Sequence, residues 1–119
     1  MRIWQETLSH DGVAVFVLEA DRRLVATCML ITAPNLLRGG RGHAFLENVV
    51  THPDHRGRGY GKAVIRAAQA EAWARGCFHV LLQSGRNDPR VHRFYESLGF
   101  KQGVRIGYVV YGPEPGSPD

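Results

Sequence analysis

Between an apolar run, LENVV (residues 46–50), and an alanine-rich run, VIRAAQAEAWA (64–74), the chain carries THPDHRGRGYGKA. Glycines stand at 57, 59 and 61, interleaved with Arg56, Arg58 and Lys62. A strand that passes into a helix here leaves several backbone N–H groups unpaired at one point. Glycines permit positive φ and close approach of a ligand, and the helix N-terminus adds partial positive charge. Those are the requirements of an anion cradle. The competing reading is a sharp turn with solvated bases, but a simple turn needs neither three glycines nor a basic cluster at a helix entrance.

Spacing narrows the anion. A P-loop needs a glycine five positions before Gly61 and a Ser or Thr after Lys62, where the chain has Arg56 and Ala63. The dinucleotide fingerprint would require glycine at 62, where Lys62 stands. Both common nucleotide loops are therefore disfavoured.

The flanking pattern predicts the architecture. Residues 13–20 and 24–32 are β-rich and joined at Asp21-Arg22-Arg23, a tight turn; their near-continuous apolar character predicts strands covered on both faces. A third strand is expected over His43–Thr51. Val64, Ile65, Ala68 and Ala72 then recur at helical spacing until Gly76. A strand CFHVLLQS follows. Asp88 and Pro89 open a second helix with Val91, Phe94, Tyr95 and Leu98 on one stripe and Gly99 at its end. Residues 104–111, VRIGYVVY, read as a last strand, 112–119 as a frayed polar tail, and Trp4–Ser9 as a short helix. The order β-β-β-α-β-α-β gives an α+β or mixed α/β domain with a mostly antiparallel sheet and a βαβ crossover.

At 119 residues, 44% hydrophobic and 22% charged, the chain is expected to form one domain, with its core over about 13–111. Cys28 and Cys77 lie in apolar runs without metal or redox spacing and read as buried free thiols. With no 18-residue apolar run and no signal peptide, cytoplasmic residence and no membrane association are expected. The net charge of +4 makes an anionic partner plausible. Nucleic acid is disfavoured, because the aromatics fall in apolar patterns rather than alternating with Arg and Lys. His43, His52 and His55 have no carboxylate or cysteine at ligand spacing beside them; they read as solvated loop histidines, with no metal site.

Arg56-x-x-Gly59-x-Gly61 resembles the pyrophosphate loop of the GNAT superfamily of N-acetyltransferases. LENVVTHPDHRGRGYGKAV is similar to that family's whole strand-loop-helix core, and DPRVHRFYESLGF to its second helix with a tyrosine and a closing Gly-Phe. The resemblance covers roughly residues 13–111. It implies a GNAT-like (acyl-CoA N-acyltransferase) fold with helices on both faces of the sheet, and direct transfer of an acetyl group from acetyl-CoA to a primary amine.

Carried over residue by residue, the pyrophosphate would lie on Arg56, Gly57, Arg58, Gly59, Tyr60, Gly61 and Lys62. The pantetheine arm would run along the main chain of Val49, Val50 and Thr51. An aliphatic ammonium has a pKa of about 10, so a base is needed, and Glu47 is the candidate, directly or through water. Its other reading is a strand-edge carboxylate or a salt bridge. On an ideal strand Phe45, Glu47, Val49 and Thr51 share a face; the bulge the family carries here changes that parity. A backbone N–H at Val49 or Val50 would stabilise the oxyanion. Tyr95 stands where the family has its general acid, against the alternative of a core tyrosine on an apolar stripe.

Two departures matter. Where the family often has an asparagine contacting CoA, seven residues before the tyrosine, this chain has Asp88, with Asn87 one place earlier and Asp88 better read as a helix cap. Only about twelve residues precede Val13, too few for the strand and two helices that usually wall the acceptor site. A homodimer in which a neighbour completes that wall is one expectation, and a non-catalytic acyl-CoA-binding or sensing module is the alternative function.

Overall fold

The computed structural model describes residues 2–115; Met1 and residues 116–119, part of the expected tail, lie outside the described residues. The chain runs α1 (Arg2–Ser9), β1 (Val13–Ala20), β2 (Arg23–Ala33), β3 (His43–Thr51), α2 (Tyr60–Ala74), β4 (His79–Leu81) and α3 (Pro89–Glu96). It divides into two units, residues 1–86 and 87–119.

In the first unit the sheet order is β1-β2-β3-β4, antiparallel except for the β3–β4 pair. The β1–β2 hairpin turns through Asp21 and Arg22, both left-handed at φ 52° and 64°, with Ala20 opposite Arg23. Two consecutive positive φ values define the hairpin turn that matches strand twist. Carrying them on non-glycine residues costs roughly 1–2 kcal/mol at Arg22.

One face of the sheet packs on α2. Cys28, Leu30, Ala44 and Leu46 are buried there against Val64, Ile65, Ala68 and Ala72, the helical stripe predicted from spacing. Burying a side chain such as Ile65 contributes about 1.5–3 kcal/mol, and two alanines let the helix approach closely. The helix ends as Gly76, at φ 79°, donates to Trp73 O (3.0 Å) while Cys77 N–H reaches Ala72 O (3.0 Å). That closing pair of bonds needs a left-handed residue, which glycine supplies without strain. Both cysteines are buried free thiols, as expected.

The opposite face differs from expectation. The apolar β1 and β2 pattern predicted cover on both sides, yet Val17, Leu24 and Val50 are more than half exposed. Among the described residues of the first unit, this face of β1 carries α1, an eight-residue helix with no buried residue. Continuous apolar composition records strand propensity here, not burial.

β4 is also shorter than predicted. Its pairing with β3 comprises His43 with His79, Ala44 with Val80 and Phe45 with Leu81, so residues 77–84 do not form one strand. Beyond Leu81 the chain leaves the sheet while β3 continues to Thr51.

In the second unit, Asp88 caps α3 by accepting from Arg90 N–H at 2.8 Å, and Pro89 follows at the first helical position. The same bond holds the Asp88 carboxyl below its usual range. Gly99, at φ 93°, closes the helix, with Phe100 N–H on Tyr95 O (3.2 Å) and the two rings edge-on at 5.9 Å. The expected last strand, Val104–Tyr111, is not formed: these residues are irregular and Val104, Ile106, Tyr108, Val109, Val110 and Tyr111 are largely exposed. A strand exists only through its partner's ladder, and no strand among the described residues supplies one.

Candidate functional site

The glycine-rich stretch leaves β3 under tight control. His52 N–H donates to Val25 O at 2.7 Å, a short 3₁₀ turn covers Pro53–His55, and the His52 ring accepts Asp54 N–H at 3.2 Å. Gly57 (φ 78°) and Gly59 (φ 80°) then adopt left-handed conformations. A Cβ at either position would meet nothing within 4 Å, so the requirement for glycine is torsional rather than steric.

α2 begins at Tyr60, earlier than the apolar periodicity indicated. Tyr60, Gly61 and Lys62 therefore form the first helical turn rather than a loop, and Gly61 is buried there instead of carrying a positive φ. The first N–H bonded back to the entrance is Ala63, to Gly59 O at 3.0 Å. Gly59 is the N-cap and makes no side-chain cap bond. The N–H groups of residues 60–62 thus lack acceptors within the helix, with Arg56 and Arg58 exposed beside them. Arg56 is oriented by a 3.4 Å bond from Nε to Thr51 O.

The second part of the site is the parting of β3 from β4. Past Phe45, the β4-facing edge of β3 has no strand partner among the described residues, so the main chain of Val49, Val50 and Thr51 lies along an open edge. A strand edge in that state presents backbone donors and acceptors to any extended ligand.

The expected bulge is present. Thr27 pairs with Val50 and Met29 with Glu47, so Asn48 and Val49 together stand opposite Cys28, with Asn48 left-handed at φ 54°. Asparagine is among the residues that tolerate this region. The bulge resets parity: Phe45, Glu47 and Val50 share the open face, and Thr51, opposite buried Ala26, falls on the α2 face. Glu47 is exposed and stands in none of the ion pairs formed among the described residues.

The histidines depart from the solvated reading. His55 is buried, stacks edge-on to His52 at 5.4 Å, and its Nδ1 has no hydrogen-bond partner among the described residues. An unsatisfied buried nitrogen costs about 1–3 kcal/mol. His43 Nδ1 lies 2.8 Å from His79 Nε2, locking the β3–β4 junction. No sequence spacing signals either arrangement, because burial of a loop residue and a parallel register are set by tertiary packing.

Asn87 and Tyr95 belong to the second unit. Asn87 Oδ1 lies 3.1 Å from His92 Nε2, and Asp88 is the helix cap that its position suggested. Tyr95 is half-buried, edge-on to Phe94 at 5.2 Å. The first unit therefore brings together Glu47, the Val49–Thr51 edge and the 56–62 entrance, and the second carries Asn87 and Tyr95.

Sequence reasoning missed a groove on the open face. About 670 Å³ in volume, it is lined by Trp4 and Thr7 of α1, Val15 and Val17 of β1, Thr27 and Met29 of β2, and Asn48 and Val50 at the bulge. The period-2 alternation of half-buried Thr27 and Met29 with buried Ala26, Cys28 and Leu30 was the available signal.

Comparison with known proteins identifies the family. The model of the GNAT acetyltransferase family matches residues 1–100. A glucosamine 6-phosphate N-acetyltransferase of Trypanosoma brucei brucei is 37% identical over 87 residues, 73% of this chain and 57% of the relative. A rice protein described as a probable enzyme of the same name is 33% identical over 72% of this chain and 51% of its own length. The chain thus spans little more than half the length of these relatives. A solved Agrobacterium tumefaciens structure, an acetyltransferase by assignment only, superposes with a TM-score of 0.88 at 42% identity, covering 93% of this chain and 76% of that one. With the family model spanning most of its length and the fold in agreement, the chain belongs to the GNAT acetyltransferase family.

Proposed function

We propose that this protein transfers an acetyl group from acetyl-CoA to a primary amine by direct attack. The observation that carries the reading is the open edge of β3 leading into a helix start with no side-chain cap. An extended pantetheine arm suits the first and a pyrophosphate the second. Arg56, Arg58 and Lys62 supply attraction and charge-assisted contacts.

In this reading the carboxylate of Glu47 takes a proton from the ammonium, directly or through water, and the freed nitrogen attacks the thioester carbonyl. A backbone N–H at Val49 or Val50 stabilises the oxyanion, and Tyr95 protonates the departing thiolate. Asn87 contributes at most an accessory contact. The exposed apolar residues between Val104 and Tyr111 favour association of two copies, which size-exclusion chromatography checks.

Titration with acetyl-CoA and CoA tests the core of the proposal. Binding in the micromolar range is expected, and none at millimolar ligand would sink it. Tyr95→Phe is expected to slow turnover by about 10²-fold while leaving CoA affinity nearly unchanged. Binding without turnover of any amine in a broad panel would favour the non-catalytic sensing module instead.

A further inference from the structure

The face of the sheet turned away from α2 carries three cross-strand rows. Val13, Ile31 and Phe45 form the first; Val15, Met29 and Glu47 the second; Val17, Thr27 and Val50 the third. Directly opposed side chains stand about 4.5–5.5 Å apart at Cβ and project to the same side. The middle row runs from two apolar side chains straight to the candidate base. The groove of about 670 Å³ lies over Val15 and Met29 of the second row and over the whole third row, and reaches Asn48, the left-handed residue of the bulge that follows Glu47.

Among the described residues the lining contains no Lys, Arg, Asp or Glu, and the ring of His52, which also lines it, has its Nδ1 taken by Asp54 N–H at 3.2 Å. Val17, Val50 and Trp4 are each more than half exposed into it or at its rim. A volume of this size accommodates a small organic molecule, and the walls offer apolar area with few polar groups to orient it. A phosphosugar would bring a dianion against walls without a lysine or arginine, and a polyamine or aminoglycoside several ammonium groups against walls without a carboxylate. Burying either charge unpaired is costly.

We infer that this groove receives the body of the acceptor and that the acceptor is an amine with a single charged nitrogen on an apolar aryl or alkyl frame. The inference rests on the acetyltransferase reading and names its substrate class. The apolar frame lies on Val17, Met29 and Val50, which sets the ammonium at the Glu47 end of the middle row. The nitrogen gives one proton to the Glu47 carboxylate. Its lone pair then forms the C–N bond as the C–S bond of the thioester breaks, and the thiolate leaves with the electron pair and is protonated. The balance is RNH₃⁺ plus acetyl-S-CoA giving the N-acetyl amine, CoA-SH and one proton.

The test is acetyl-CoA-dependent thiol release with 2-phenylethylamine, glucosamine 6-phosphate and kanamycin, on the full chain and on Val17→Asp, with acetyl-CoA affinity measured separately. The phenylethylamine kcat/KM is expected to exceed both others by about tenfold or more. Val17→Asp, at an already exposed position, is expected to raise the phenylethylamine KM about tenfold with acetyl-CoA affinity unchanged. Preference for glucosamine 6-phosphate or kanamycin overturns the acceptor class while the acetyltransferase stands. Acetyl-CoA binding with no phenylethylamine turnover overturns it as well. If Val17→Asp instead turns an oligomer into monomers at unaltered KM, the face is an interface and the proposal fails. Loss of acetyl-CoA binding in the unmutated chain would bring down the underlying reading itself.

Discussion

The thiol of Cys28, in the middle of β2, donates to the carbonyl oxygen of Val64 in α2 across 3.5 Å. The sheet is thereby tied to the helix one turn after the N-terminus without a side-chain cap that is proposed to hold the pyrophosphate. Cys28 is 1% exposed, and burial pushes its thiol up from 9.0 to about 11.

That shift has a sign. The folded state holds the thiol proton more tightly than the unfolded state, so the stabilisation is fully present below pH 9 and lost as pH rises through 11. On the order of 2 kcal/mol is at stake. Urea midpoints measured from pH 8 to 11 are expected to fall in the parent chain and to fall less steeply in Cys28→Ala, and parallel curves would contradict this account. Native Cys28 is also expected to resist alkylation at pH 8, since the thiolate is the nucleophile.

Gly59→Asp, set against Gly59→Asn, separates charge from backbone strain at the helix entrance. Aspartate is a preferred N-cap whose carboxylate accepts from the second or third N–H of the helix. Here it would occupy the donors proposed for pyrophosphate and add a repelling charge. CoA affinity is expected to drop about tenfold or more, equivalent to about 1.4 kcal/mol, and the left-handed φ of 80° is expected to cost about 1–2 kcal/mol of stability besides. Gly59→Asn, which suits the φ of 80° without the charge, is expected to lose less. Isothermal titration of both variants decides it, and equal losses would indicate a torsional cause alone.

Arg75 offers a stability prediction away from the site. Its Nε reaches Glu71 Oε1 at 2.9 Å while Nη1 donates to Asp11 O at 3.1 Å and Thr32 Oγ1 at 3.2 Å, joining the end of α2 to both sides of the β1–β2 hairpin. Solvent screens the ion pair, so Arg75→Ala is expected to cost about 1 kcal/mol, a few degrees in Tm, by calorimetry. Arg75→Lys is expected to recover less than half, because an ammonium cannot reproduce the fork.

The helix stripe of Val64, Ile65, Ala68 and Ala72, the cap at Asp88 and the stops at Gly76 and Gly99 were legible because each is a local rule written within a few residues. So was the loop, whose glycines at 57 and 59 are required by backbone torsion. The early start of α2 was less legible, since Tyr60-Gly61-Lys62 carries no apolar signal and glycine lowers helix propensity. The absent ladder at Val104–Tyr111 and the brevity of β4 lay beyond reach for another reason: strand propensity names residues that suit a sheet but not the partner that completes it. The groove went unseen because it depends on which residues face each other across three strands, a register that the bulge at Asn48 and Val49 resets.

That bulge makes the proposed catalysis and foldability hard to separate. Ala44 and Leu46, before it, and Thr51, after it, all point toward α2 only because one extra residue sits between them. Deleting Asn48 would restore strict alternation and oblige one half of β3 to turn over. Either the Glu47 carboxylate would enter the core and Leu46 leave it, or the chain would enter the glycine turn from the wrong side. A register error at this point is therefore removed by misfolding before any fault in turnover is exposed, and sequence drift along β3 is confined to substitutions that preserve its length.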